Sequence, residues 1–127
     1  MQRIFYLATC DTCRQILKTV APPATLVRQD IKTDPITPAQ LDHLHTLAGS
    51  YEALFSTRAQ LYRERGLASQ ALTEADYRRL ILEAYTFLRR PVIVLDDQVF
   101  VGNTPAVVTA AAAAMATFKE KGGNDGQ

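Results

Sequence analysis

Cys10 and Cys13 are the only cysteines in the chain, and two residues separate them. They follow the run Arg3-Ile4-Phe5-Tyr6-Leu7-Ala8, in which Ile4 to Ala8 predicts a short buried strand. They open the stretch from Thr12 through Val20, which predicts a helix. The pair therefore falls at a strand-to-helix turn, where the first helical N–H groups lack intrahelical partners and the helix dipole is positive. A thiol there is biased toward thiolate, the form that attacks electrophiles and exchanges disulfides. Polar neighbours Thr9, Asp11 and Thr12 argue against a buried inert thiol, so Cys10 is the candidate nucleophile. The spacing of Cys13 allows a disulfide with Cys10, which makes it the candidate resolving thiol. The competing reading of Cys13 is a small packed residue in the first helical turn.

Other residues with chemical potential are weaker candidates. Two cysteines supply half of the usual structural zinc set, and His43 and His45 lie two apart on a predicted helix, facing different sides. No metal and no bound cofactor are expected. Arg58 lies in a predicted helix break, from which a long cation can reach inward to an anion. Arg14 follows Cys13 in the first helical turn, where the dipole does not favour a cation, so it is a candidate for biasing the thiols or holding an anion. For both arginines the alternative is an ordinary exposed side chain.

The elements that must position these groups are legible in order. At 127 residues the chain is one ordinary domain, long enough to bury a core without metal or disulfide staples. A composition of 47% hydrophobic and 21% charged residues excludes a disordered chain, and a net charge of +1 gives no reason to expect direct contact with nucleic acid. No apolar run is long enough to span a bilayer, and Met1-Gln2-Arg3 leads straight into a strand, so no signal peptide, no membrane and a reducing, cytoplasmic location are expected. In such a compartment a close cysteine pair is more often catalytic, redox-sensing or metal-binding than a permanent bridge.

After the first helix, Pro22-Pro23 is a stop and Thr25–Ile31 predicts a second strand, parallel to the first if the two share a sheet. A helical insertion from about residue 37 to 88 follows. Thr37-Pro38-Ala39-Gln40 opens its first helix, Gly49 ends it, short helices break near Ser56-Thr57-Arg58, and Thr73-Glu74-Ala75-Asp76 starts another. Tyr77, Leu80, Ile81, Ala84 and Leu88 carry the apolar stripe of that last helix. Val92–Leu95 and Gln98–Val101, joined by Asp96-Asp97, predict an antiparallel hairpin. Thr104-Pro105 caps a final helix through about Lys119. The domain is expected over residues 1–121, with a disordered tail over 122–127.

This layout resembles a thioredoxin-like α/β fold, a mixed sheet made of a parallel strand-helix-strand unit and an antiparallel C-terminal hairpin, with a helical insertion. The closer resemblance is to the ArsC/Spx family. It rests on Tyr6-Leu7-Ala8-Thr9-Cys10-Asp11-Thr12-Cys13-Arg14, on Asp30-Ile31 followed by Pro35-Ile36-Thr37, on Ser56-Thr57-Arg58, and on Leu88-Arg89-Arg90-Pro91-Val92-Ile93-Val94 ending at Val101-Gly102-Asn103. It spans roughly Ile4 to Phe118. The family contains arsenate reductases and Spx-type regulators.

The resemblance implies a catalytic cysteine at Cys10 and an arginine at Arg90 that holds an oxyanion. Ser56 falls where a second such arginine would stand, with Arg58 two residues later, and the third position, near Val101-Gly102-Asn103, has no arginine. The cysteine pair, the Ser-Thr-Arg run and the Arg-Arg-Pro run resemble the Spx-like branch. The resemblance also implies a cis Arg90–Pro91 bond facing the cysteine turn. That bond type is accessible before proline. It would bring the planar fork of Arg90 beside Cys10, with Arg89 pointing elsewhere into solvent. As activity, it implies a thiol oxidoreductase acting on a small oxyanion or a disulfide, with glutathione or glutaredoxin as electron donor. The alternative is a redox-switched regulator that binds RNA polymerase.

Overall fold

The structure, a computed structural model, describes residues 1–122. Of the expected disordered tail, residues 123–127 lie outside the described residues. Backbone contacts divide the chain into two compact units, Met1–Ile31 with Arg90 onward, and Lys32–Arg89.

The first unit holds the sheet. Its strands are β1 (Gln2–Tyr6), β2 (Val27–Asp30), β3 (Val92–Leu95) and β4 (Gln98–Val101), in the order β2-β1-β3-β4. β1 runs parallel to β2 and antiparallel to β3, and β3 runs antiparallel to β4. This is the mixed thioredoxin-like sheet expected from the sequence. Helices α1 (Asp11–Val20) and α5 (Pro105–Glu120) belong to the same unit. Ile16, Leu17 and Val20 recur at helical spacing on α1 and are buried with Ala111, Met115 and Phe118 of α5 and with Ile4, Ile93 and Leu95 of the sheet. At the far end of α1, Ala21 takes the left-handed conformation, and its carbonyl accepts from Lys119 Nζ at 2.9 Å, which ties the two helix ends together.

β1 begins and ends two residues earlier than expected. Leu7 and Ala8 leave the sheet because the Cys10 N–H turns back onto the Leu7 carbonyl at 3.0 Å. Thr25 and Leu26 are likewise outside β2, where the Leu26 N–H closes a turn onto Pro23. The hairpin of β3 and β4 turns on Asp96, whose positive φ of 59° suits a short polar side chain.

The second unit is helical: α2 (Pro38–Ala48), α3 (Gln60–Glu64) and α4 (Glu74–Glu83), with 3-10 turns at Glu52–Leu54, Leu67–Ser69 and Tyr85–Phe87. Thr37 and Gln40 close a reciprocal capping box on α2, and Thr73 and Asp76 do so on α4. α4 ends at Glu83, so Ala84 and Leu88 do not continue its stripe. Ala84 is extended, and Leu88 instead forms an isolated antiparallel bridge with Phe55, reinforced by Ser56 N–H to Phe87 carbonyl (2.7 Å) and Arg89 N–H to Leu54 carbonyl (2.9 Å). The Phe55 ring stacks on Phe87 at 5.1 Å and meets Tyr77 at 4.8 Å, forming an aromatic centre for the unit. Among the described residues, no helix is long and apolar enough to cross a membrane.

Candidate active site

Three backbone devices present Cys10. The β1 strand ends at Tyr6, the turn onto Leu7 reverses the chain, and Cys10 becomes the N-cap of α1 with extended φ and ψ of −91° and 117°. Its carbonyl accepts the first helical bond from Arg14 N–H at 3.1 Å. Its side chain is left at the positive end of the helix and closes no capping bond as a thiol. The thiolate gains what the thiol does not. Partial burial opposes ionisation, yet the N–H groups of Cys13 and Thr12, the Cys13 side chain and the charge of Arg90 together hold the Cys10 pKa below the ordinary thiol value of 9.0.

Cys13 is the opposite case. It is 0% exposed, and burial first, then the Cys10 charge and hydrogen bond, push its pKa up to about 11. Cys10 is the more acidic of the pair, and Cys13, protonated at neutral pH, can donate to it. No disulfide joins the two cysteines in this structure.

Arg90 enters from the loop before β3, where the Arg90–Pro91 bond is cis. The Pro91 carbonyl accepts from Gly102 N–H at 2.9 Å, and Gly102 has φ of 94°, a conformation suited to glycine. This bond fixes the end of the hairpin, and Asn103 follows it. Asn103 lines an open groove of about 400 Å³ with Asp11, Thr12, Gln15, Ile16 and Thr19 along one face of α1.

Of the residues singled out from sequence, Cys10, Cys13 and Arg90 act on one another electrostatically. Arg14 is committed elsewhere: its guanidinium donates to the Asp11 carboxylate and to the Ala8 carbonyl (3.3 Å). Arg58 belongs to the second unit, exposed in the turn before α3, where its N–H donates to Ser56 Oγ at 3.3 Å. Arg89 is exposed as expected, but it is also tethered, its Nε donating to the Phe55 carbonyl at 2.9 Å. The sequence pointed to Asp11 only as a polar neighbour of Cys10 and to Asn103 only as part of the Val101-Gly102-Asn103 run. The i,i+3 spacing of Asp11 and Arg14 is the one local signal of their pairing. His45 stacks on Tyr51 at 4.2 Å, and no cluster of three metal-ligating side chains occurs among the described residues.

Residues 5–111 match the sequence profile of the ArsC family. The chain belongs to the ArsC family. A global transcriptional regulator Spx from Streptococcus pneumoniae is 24% identical over 96 residues, covering 74% of this chain and 72% of that protein. Among solved structures, a putative ArsC family related protein from Bacteroides fragilis superposes with a TM-score of 0.72 at 23% identity, over 87% of this chain and 96% of that one. An arsenate reductase from Vibrio cholerae gives 0.70 at 18% identity, over 87% and 98%. These likenesses establish the thioredoxin-like ArsC fold, and the cysteine turn falls within the matched region.

Proposed function

We propose that this ArsC-family chain is a thiol oxidoreductase of the arsenate reductase type, with a small oxyanion or a disulfide as its electrophile. The observation that carries the reading is the Cys10 thiol, more acidic than usual beside Arg90 and the buried Cys13 thiol. In the arsenate reaction Cys10 sulfur bonds to arsenic as water leaves. Arg90 and the N–H groups of the turn offset the negative charge. A second thiol then attacks Cys10 sulfur. The sulfur–arsenic bond breaks with its electron pair passing to arsenic, As(V) becomes As(III), and the two thiols become a disulfide.

Cys13 suits the part of second thiol. Its high pKa owes most to burial, but part comes from the Cys10 charge. Once Cys10 carries the adduct, that charge has passed from the sulfur to the arsenate oxygens, where Arg90 and the N–H groups of the turn offset it. An external thiol, glutathione with glutaredoxin, then reduces the pair by attacking Cys10, because Cys13 has no exposed surface. Arg90 is the first anion ligand of this reading. Arg58 is the second candidate, supported by its place in the Ser-Thr-Arg run.

The test is arsenate-dependent NADPH oxidation coupled through glutathione, glutaredoxin and glutathione reductase. Cys10→Ser should lose more than about 1,000-fold in turnover, as expected for a nucleophile. Loss in Cys13→Ser as well assigns it the resolving step, whereas full activity there assigns that step to glutathione. A wild-type protein with verified reduced thiols and no turnover would remove arsenate from the reading.

The Spx relative favours a second reading: a redox-switched transcription regulator in a reducing cytoplasm, in which a Cys10–Cys13 disulfide controls contact with RNA polymerase. Capture of polymerase by the oxidised protein and not by the reduced one would select it.

A further inference from the structure

Asp11 and Arg14 stand one helical turn apart at the start of α1, and their side chains pair. A carboxylate in the first turn is favoured by the helix dipole, and an arginine there is not. The same dipole serves the Cys10 thiolate. Asp11 therefore sets a second negative charge one residue from the sulfur, where it opposes ionisation of the thiol and repels an incoming anion. Arg14 answers that charge. Its guanidinium donates to the Asp11 carboxylate and to the Ala8 carbonyl, so it spans the loop that carries Cys10 from both sides.

We propose that Arg14 is a positioning residue that neutralises Asp11 and anchors the Ala8–Asp11 loop, leaving the positive end of α1 to the Cys10 thiolate and its anionic substrate. The inference rests on the thiol chemistry proposed above and gives Arg14 a role other than direct contact with the anion.

The experiment is the pH profile of iodoacetamide alkylation of Cys10 in the full chain, with the modified residue confirmed by peptide mass spectrometry. Wild type, Arg14→Gln, Asp11→Asn and the double variant are compared. Arg14→Gln should move the midpoint up and slow alkylation at pH 7 about two- to fivefold, the range open to an exposed ion pair. Adding Asp11→Asn should restore the wild-type profile. The Arg14→Gln effect should also fade in 1 M salt, where the screening length is about 3 Å.

An Arg14→Gln protein that titrates like wild type overturns the proposal. So does a double variant as slow as Arg14→Gln, which would mean that Arg14 acts on the sulfur itself. Alkylation needs no arsenate and no reductant, so absence of arsenate turnover in the wild type leaves this test intact. Melting curves accompany each variant, and the exposed pair should leave them close to wild type.

Discussion

In the Lys32–Arg89 unit Asp42, Glu74 and Arg89 are bonded to other side chains and to the backbone, whereas Arg90 in the sheet unit bears on an ionisable sulfur. In the helical unit, Asp42 accepts from Tyr51 OH at 2.6 Å and from Arg78 Nε and Nη2 at 2.8 and 3.1 Å. Glu74 accepts from the N–H groups of Tyr51 and Glu52, at 2.7 and 3.1 Å, and so caps the 3-10 turn that follows α2. In the sheet unit, Arg90 acts on a sulfur whose protonation state changes during the proposed reaction. A charge whose partner is permanently ionised fixes geometry. A charge that faces a reacting thiol sets reactivity. The adjacent arginines make the contrast sharpest, since Arg89 holds the Phe55 carbonyl while Arg90 acts on Cys10.

The largest effect available to break this comparison lies in the core of the helical unit. Phe87 is fully buried, stacks on Phe55 and carries Arg65 over its ring at 5.8 Å. Phe87→Ala should cost about 3–5 kcal/mol of unfolding free energy in urea, the transfer loss and the cavity together. A loss below about 1 kcal/mol would mean that this aromatic centre does not hold the unit.

Arg90→Met tests the other side. It should raise the midpoint of Cys10 alkylation and slow the reaction at pH 7. Arg89→Met should leave the profile unchanged, because its guanidinium is bonded to a backbone carbonyl. Equal effects of the two substitutions would erase the distinction between them.

What the sequence revealed depended on range. Caps and turns are written locally. Thr37 with Gln40, Thr73 with Asp76, and Cys10 just before a helical run could each be found within four residues, and each stands where it was expected. The end of α4 was not legible, because what stops the helix is Leu88 pairing with Phe55, 33 residues earlier in the chain. The same holds for Arg78 and Asp42, bonded across 36 residues, and for Gln29, a buried amide that accepts from Arg3 at 3.1 Å. At the site, residue type and spacing pointed to Cys10 and Cys13, and the family resemblance to Arg90, but nothing pointed to the unequal acidity of the two thiols. That inequality comes from burial of Cys13, which only packing decides.

The smallest effect sharpens the structural half of the comparison, because it carries a pH signature. Arg78 first, and Tyr51 second, hold the Asp42 carboxyl down from its ordinary 3.8 to about 2. A carboxylate whose pKa is lowered by folding contributes stability that is complete above its unfolded value and is lost as pH falls through the folded one. Asp42→Asn should therefore lower the melting temperature by a few degrees at pH 7, since the network is exposed to solvent. The gap from wild type should narrow between about pH 4 and pH 2 and close at its lower end. A gap that stays constant over that window would mean that Asp42 works through shape and not through charge, and the helical unit would lose its claim to a charge-built scaffold. Over the same substitution the Cys10 alkylation profile should not move, because Asp42 is not among the groups that act on that sulfur.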